Sequence, residues 1–351
     1  MKIAIIRPSN LKHRVRGTGF YFENLKRSLL KNFPNSYYFV DSLRNLPDVS
    51  IVHYPFFEPF FLTLPIFLNK KIVVTVHDLT PLVFPKYFPA GLRGRIKWQI
   101  QKIALKNADA IITDSQNSMT DILKSVGIRE DKVYVIYLSA GEEFRKLKIA
   151  QKGPDLELKI KKRYGLPDRF ALYVGDVTWN KNLPRIVEAI KKANIPLVLV
   201  GKALIESEYD RSNPWNQDLE IVQKAIENDK LFTRAGFVND EDLPILYNLA
   251  TVFVMPSLYE GFGLPILEAM SCGCPVVTSR EGSIPEVAGD AAFYVDPYST
   301  DSIAGGIKKV FNDKNLQSEL STKGLKRAKL FSWKKTAQET LKVYEALVQE
   351  S

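Results

Sequence analysis

At 351 residues the chain is longer than the ~250–300 residues that one hydrophobic core usually organises, which predicts about two domains. Its 45 % apolar and 25 % charged residues exclude a disordered or fibrous chain. The net charge of +10 is lopsided: residues 1–165 hold 28 basic and 14 acidic side chains and the remainder 21 and 25, so the first half is expected to face something anionic.

In chain order, KIAII (Lys2–Ile6) reads as a buried strand, and the apolar run before Arg7 and Pro8 is too short for a signal-peptide core. A loop with Gly17 and Gly19 follows, then a helix near Phe20–Lys31. VSIVHY (Val49–Tyr54), KIVVTVH (Lys71–His77), DAIITDS (Asp109–Ser115) and VYVIYL (Val133–Leu138) read as further strands. The apolar stretch from Ile51 to Asn69 is broken by Pro55, Glu58, Pro59 and Pro65, so no membrane span is expected. The helix Leu92–Lys106 has Ile96, Ile100 and Ile103 on one side, assigned to core packing. Its basic excess, with Trp98 and YPFFEPFF (Tyr54–Phe61), suits an anionic membrane surface; a solvated basic face is the alternative. The expected location is cytoplasmic, either free or peripheral on the membrane face.

After a Lys-rich linker and lead-in helix (Arg145–Asp168) the same grammar restarts. Strands are expected at 170–175, 196–201, 231–237, 251–257 and 275–279, with helices near Leu183–Ala193, Gln217–Asn228, Leu243–Ala250 and after Pro265. Each half is thus an α/β, doubly wound parallel sheet, with a cleft between the two where they face each other. The domains read as 1–152, rejoined by the terminal helix 332–351, and 153–331. In that helix Trp333, Ala337, Leu341, Tyr344 and Val348 form one apolar stripe.

The stretch SLYEGFGLPILEAM (Ser257–Met270) carries the chemistry. Pro265 suits a first helical turn, and Gly261 and Gly263 admit tight or left-handed backbone. Phe262, Gly263 and Leu264 then present N–H groups at a helix N-terminus, a setting for phosphate. Glu260 and Glu268 flank this turn, and each carboxylate can accept from a pair of neighbouring hydroxyls, as on a ribose or a sugar ring. Helix-start acids with no ligand are the alternative.

E-G-F-G-L-P-I-L-E (Glu260–Glu268) resembles the E-x7-E motif of retaining glycosyltransferases of family 4, which have the GT-B fold. RGTGFYFENLKRSLL (Arg16–Leu30), VVTVHDLTPLVFPKYFP (Val73–Pro89), ADAIITDSQNSMTDIL (Ala108–Leu123), ALYVGDVTWNKNL (Ala171–Leu183), GFVNDEDLPILYNLATVFVMPS (Gly236–Ser257) and GSIPEVAGDAAFYVDP (Gly282–Pro297) are similar to its other segments, in the same order. The resemblance implies that Glu268 holds the nucleotide ribose and that Glu260 lies by the donor sugar's hydroxyls. It implies that Lys181 grips the pyrophosphate and that His77 sits over the sugar. Gly19 and Gly175 would lie close to the phosphates, the amides of Phe262, Gly263 and Leu264 would face sugar and phosphate, and Val238, beside Phe237, would frame the base. It also implies a terminal helix crossing back onto the first domain. The implied reaction moves a hexose from a nucleotide-diphosphate sugar, GDP-mannose by similarity to a mannosyltransferase subset, to a glycan or lipid-linked acceptor. No cofactor and no essential metal are expected. UDP-glucose transfer and nucleotide-sugar epimerisation are the alternatives.

Two positions depart from the family: Asp176 stands where many members have arginine, and Asn180 where the mannosyltransferase subset has it. Arg14 or Arg16 is a candidate replacement cation, and a non-catalytic partner subunit is the alternative these losses raise. Asp240-Glu241-Asp242 spells DxD but sits at a helix start, where acids are expected as caps. Gly17 and Gly19 lack the third glycine of a dinucleotide fingerprint, and Cys272 and Cys274 read as reduced buried thiols. A nucleic-acid-binding role would use the basic half but leaves Lys181, Glu260 and Glu268 unexplained.

Overall fold

The computed structural model describes residues 1–8, 17–34, 36–44, 46, 48–148, 154–206 and 209–349. They form two compact units, residues 1–139 with 331–351, and residues 140–330. Each is built on a six-stranded sheet in which every pairing is parallel.

The first sheet comprises β1 (Lys2–Ile6), β2 (Ser36–Val40), β3 (Ile51–Tyr54), β4 (Lys71–Thr75), β5 (Ala110–Thr113) and β6 (Val133–Val135), in the order β2-β1-β3-β4-β5-β6. Helices α1 (Thr18–Asn32), α2 (Thr80–Val83), α3 (Gly91–Lys106) and α4 (Gln116–Val126) connect them. Strands β3 and β5 are buried at every residue, as near-continuous apolar runs in a helix-covered parallel sheet must be. The sequence reading lacks β2: its aromatics Tyr37, Tyr38 and Phe39 are only half-buried, so the strand gives no core signature.

Helix α3 corrects the sequence reading. Ile96 and Ile103 point to solvent, and the buried residues are Gly94, Gln101, Ala104 and Leu105. Gln101 dictates this rotation. Its amide oxygen accepts from the N–H groups of Thr63 and Leu64, both at 2.8 Å, and its Nε2 donates to the Leu64 carbonyl at 3.1 Å. A buried loop backbone needs partners, and a polar side chain supplies them.

The second sheet comprises β7 (Ala171–Val174), β8 (Leu197–Val200), β9 (Phe232–Gly236), β10 (Val252–Met255), β11 (Val276–Thr278) and β12 (Phe293–Tyr294), in the order β12-β11-β10-β7-β8-β9. Its helices are α5 (Pro154–Tyr164), α6 (Leu183–Ala193), α7 (Gln217–Ile226), α8 (Leu243–Leu249), α9 (Leu264–Ser271), α10 (Ile284–Ala288), α11 (Thr300–Asn312) and α12 (Lys314–Ala328). Helix α11 is absent from the sequence reading because Gly305 and Gly306 interrupt its interior. Packing requires the second glycine: a Cβ on Gly306 would stand 2.4 Å from Val295 Cγ1.

The last helix, α13 (Trp333–Gln349), belongs to the first unit and packs on α1. It buries Trp333, Ala337, Leu341 and Tyr344, with Thr336, Thr340, Val343 and Leu347 beside them. Val348 is exposed instead, because at the helix end Leu347 takes the inward position of the ~3.6-residue repeat.

Candidate active site

The second sheet reverses its winding between β7 and β10. The chain runs outward through β8 and β9 and returns to β10 on the other side of β7. Loops leaving two such strands diverge and open a crevice at their carboxyl ends, where ligands bind in doubly wound sheets. Lys181 follows β7 and Glu260 follows β10, so the topology brings them together. Lys181 Nζ lies 2.9 Å from Glu260 Oε1 and 2.8 Å from Oε2. Glu260 is only 5 % exposed, and a buried carboxylate needs such a cation.

The Glu260 loop is fastened from both sides. Asn180 Nδ2 donates to the Tyr259 carbonyl at 3.0 Å, and the Leu258 N–H donates to the Asn180 carbonyl at 2.7 Å. Asn182, left-handed at φ 60°, donates from Nδ2 to the carbonyls of Pro256 and Pro297 at 3.0 and 2.7 Å. From the β11 side, Ser279 Oγ donates to Ser257 O at 2.5 Å and Ser283 Oγ to Glu260 O at 2.9 Å. Gly282, at φ 59°, lies so close that a Cβ would stand 2.8 Å from the Glu260 carbonyl oxygen. Any side chain there would displace the glutamate.

Glu268 sits on α9, one turn past the Gly263 cap, which is left-handed at φ 99° and carries no side-chain cap bond. Tyr247 OH donates to Glu268 Oε2 at 2.9 Å. Its ring is fully buried, edge-on to Phe253 at 5.4 Å and Phe144 at 5.9 Å, so this phenol is a fixed donor. Phe262 and Gly263 are buried and Leu264 half-buried. Gly175 directly follows β7, and its N–H donates to the Val200 carbonyl at 3.0 Å. The Val238 side chain is fully buried, and Phe237 beside it is exposed.

The two departures are also located. Asn180 spends its side chain on the protein, as above, and Thr178 Oγ1 donates to its Oδ1 at 2.8 Å. Asp176 is exposed, and its carbonyl accepts from Tyr173 OH at 2.7 Å. Arg14 and Arg16 lie outside the described residues. In the DxD stretch, Asp242 does not cap a helix with its side chain. Its carboxylate accepts from Arg163 Nη1 at 2.6 Å and Tyr164 OH at 2.7 Å, which fixes α5.

In the first unit His77 lies beyond the carboxyl end of β4. Its Nδ1 is 2.6 Å from Asp114 Oδ2, just past the neighbouring β5, and its ring meets Tyr21 edge-on at 4.8 Å. Tyr21 stands two residues after Gly19 in the first turn of α1, so Gly19, expected in a loop, is a buried helical residue beside this cluster. Burial pulls the His77 pKa down, but the charge and hydrogen bond of Asp114, aided by Asp78, outweigh it and the net direction is up. Burial raises Asp114, against the pull of His77. A hydrogen bond with the Pro55 backbone adds to the upward pull on His77. A second histidine, His53, lies deeper. Its ring nitrogens meet Tyr344 OH at 2.6 Å and Thr75 Oγ1 at 2.8 Å, and Thr75 Oγ1 meets Tyr21 OH at 3.1 Å. Burial lowers the His53 pKa to about 3, so this ring is a neutral strut between β3, β4 and α13.

Asp114, Tyr247 and Ser283 escape the sequence reading. Asp114 has one signal, an acid directly after an apolar strand, in line with the carboxyl ends where ligands bind. Tyr247 has none, since its α8 periodicity marks it as core.

Residues 157–327 match the family "Glycosyl transferases group 1" and residues 6–139 match "Glycosyltransferase Family 4". O-antigen chain mannosyltransferase B of Escherichia coli is 32 % identical over 289 residues, 79 % of this chain and 71 % of that protein. Serotype-specific mannosyltransferase WbdA of Escherichia coli is 31 % identical over 289 residues; the match takes in 80 % of this chain and 34 % of WbdA, about a third of its length. Among solved structures, sucrose-phosphate synthase from Thermosynechococcus elongatus superposes with a TM-score of 0.75 at 20 % identity, covering 100 % of both chains. Alr3699/HepE of Anabaena, in complex with UDP and glucose, gives 0.74 at 16 %, covering 99 % of this chain and 100 % of that one. At such identities these two structures bear on the fold, which is GT-B.

Proposed function

The chain belongs to glycosyltransferase family 4, and from that membership we propose that it transfers mannose from GDP-mannose, with retention, to a glycan or lipid-linked acceptor. That it is a glycosyltransferase follows from the family; the mannosyltransferase relatives support the sugar, and the nucleotide is the proposal's own step. The observation that carries the site assignment is the Lys181–Glu260 pair at the winding reversal of the second sheet.

In this reading the bond from the sugar's anomeric carbon to the diphosphate breaks, and a bond to the acceptor oxygen forms on the same face. The acceptor's proton ends on the departing diphosphate. The leaving diphosphate gains negative charge, and Lys181 with the amides of Phe262, Gly263 and Leu264 stabilises it where it develops, an effect worth ~3–4 kcal/mol per donor. Lys181 then exchanges part of its contact with Glu260 for phosphate, which frees Glu260 to accept from sugar hydroxyls. Glu268, oriented by Tyr247, takes the ribose hydroxyls, and Gly175 and Gly19 let backbone approach the phosphates. Val238 contributes backbone beside the base. His77, held by Asp114, takes the sugar-facing role. The cations in this scheme are protein side chains, and no metal is required.

Thermal unfolding with GDP, UDP or ADP, each with and without magnesium, tests the reading. A ligand at ~100 times its dissociation constant stabilises by ~2.7 kcal/mol. GDP alone is expected to raise the melting temperature, equally with and without magnesium. A shift with UDP alone would reassign the donor to a UDP-sugar. Incubation with GDP-mannose and no acceptor separates transfer from epimerisation, which would yield an isomeric nucleotide sugar.

A further inference from the structure

The outward turn of α3 leaves apolar side chains in solvent. Leu92, Ile96 and Ile103 are 77, 54 and 53 % exposed. The segment beneath the helix adds Phe61, Leu62, Ile66 and Phe67 at 58, 63, 54 and 83 %. These two stretches are one surface. Gln101 bonds the backbone of Thr63 and Leu64, Lys97 Nζ lies over the Phe61 ring at 5.4 Å, and Asn107 Nδ2 donates to the Ile66 carbonyl at 3.3 Å. Exposed leucine, isoleucine and phenylalanine in such density are uncommon on a surface that stays in water.

Charge selects the occupant. Helix α3 carries Arg93, Arg95, Lys97, Lys102 and Lys106 and no acid, and residues 60–71 carry Lys70 and Lys71 and no acid. Where the helix ends, Ile66 and Phe67 border a cavity of about 1200 Å³ that is also lined by Lys2, Lys70, Lys71 and Lys106. Asp48 and Asp109 line it too, paired with Lys70 at 3.1 Å and Lys71 at 3.3 Å. The cavity lies at the amino ends of β1, β4 and β5, whereas His77 and Asp114 lie beyond carboxyl ends. The surface therefore does not belong to the site described above. An apolar face rimmed by cations matches a bilayer whose headgroups are anionic and whose interior takes aliphatic and aromatic side chains. Among the described residues no helix is long and apolar enough to cross a membrane.

We propose that α3 and residues 61–67 form a monotopic docking face for an anionic phospholipid surface, with Phe67, Ile96 and their apolar neighbours inserted and the arginines and lysines at headgroup level. This inference stands independently of the donor assignment. Its test is co-sedimentation with vesicles of phosphatidylcholine alone or mixed with phosphatidylglycerol. The full chain is expected to bind the mixed vesicles, more weakly as salt rises, and to leave the neutral ones. Arg93→Gln with Arg95→Gln should weaken binding ~25-fold, about fivefold per basic residue. Phe67→Ser with Ile96→Ser should weaken it at least tenfold; both positions are exposed, and an unchanged melting temperature checks the fold. Failure to bind mixed vesicles, or binding that neither pair of substitutions alters, overturns the proposal. So does a parent dimer that Phe67→Ser with Ile96→Ser converts to monomer, since the face would then be an interface between copies.

Discussion

The two units share one architecture and use it in opposite ways. At the carboxyl edge of the second sheet Lys181 and Glu260 are paired, and the Glu260 loop is stitched down by Asn180, Asn182, Ser279 and Ser283. At the edge of the first sheet His77 stands on the buried carboxylate of Asp114, 2.6 Å from its Nδ1. The second unit thus presents a preformed charge site, and the first a titratable one. A parallel sheet dictates where its ligands bind, but the side chains leaving its strands decide which chemistry that edge can do.

The largest expected effect comes from breaking the preformed pair. Lys181→Ala should lower the transfer rate by ~10²–10³-fold through loss of a charge stabiliser. It should also destabilise the fold by ~3 kcal/mol, because Glu260 is left buried and unpaired. Steady-state rates and urea unfolding read the two effects separately, and a wild-type rate would remove Lys181 from the site.

The titratable edge is probed by Asp114→Asn. Removing the carboxylate removes the interaction that raises His77, so the His77 pKa should fall and any limb of the pH–rate profile it sets should move to lower pH. Proton NMR of the His77 ring follows this directly; an unmoved midpoint would mean that Asp114 does not govern His77.

His53 tests the strut beneath. Its pKa is near 3 folded against 6.5 unfolded, so between these values the unfolded chain binds the extra proton. Stability from this ring is therefore complete above the unfolded value and falls with acidification through that window, by at most ~1.4 kcal/mol per pH unit. His53→Gln should flatten the acid slope of unfolding free energy relative to the parent. Equal slopes would mean that His53 is not held neutral.

The smallest effect is at the stitched loop. Asn180→Ala should cost ~1–2 kcal/mol, since it leaves the buried Tyr259 carbonyl without its donor. Denaturant midpoints check this, and a neutral Asn180→Arg would show that the loop does not depend on the Asn180 amide.

Much of this was legible in the sequence. Fully buried strands betray themselves as apolar runs, and glycine, proline and paired glutamates at fixed spacing marked the Glu260–Glu268 turn. What escaped is what depends on a third dimension. The edge strand β2 has no buried face to advertise, and α11 hides behind a glycine that packing requires. The isoleucines of α3 looked like a core stripe because periodicity gives a face without saying which way it points. Gln101 made that choice through contacts nearly 40 residues away in sequence. Likewise Asp114 meets His77, and Tyr247 meets Glu268, through contacts that no local pattern connects.

In the proposed site the Lys181–Glu260 crevice holds the nucleotide diphosphate. Calorimetric titration with GDP tests it on the parent and on Lys181→Met with Glu260→Gln, which removes both charges together and spares the fold an orphaned one. At least a tenfold loss of GDP affinity is expected, with the melting temperature of the free protein retained. Equal affinity in the two proteins would place the nucleotide elsewhere and contradict the assignment.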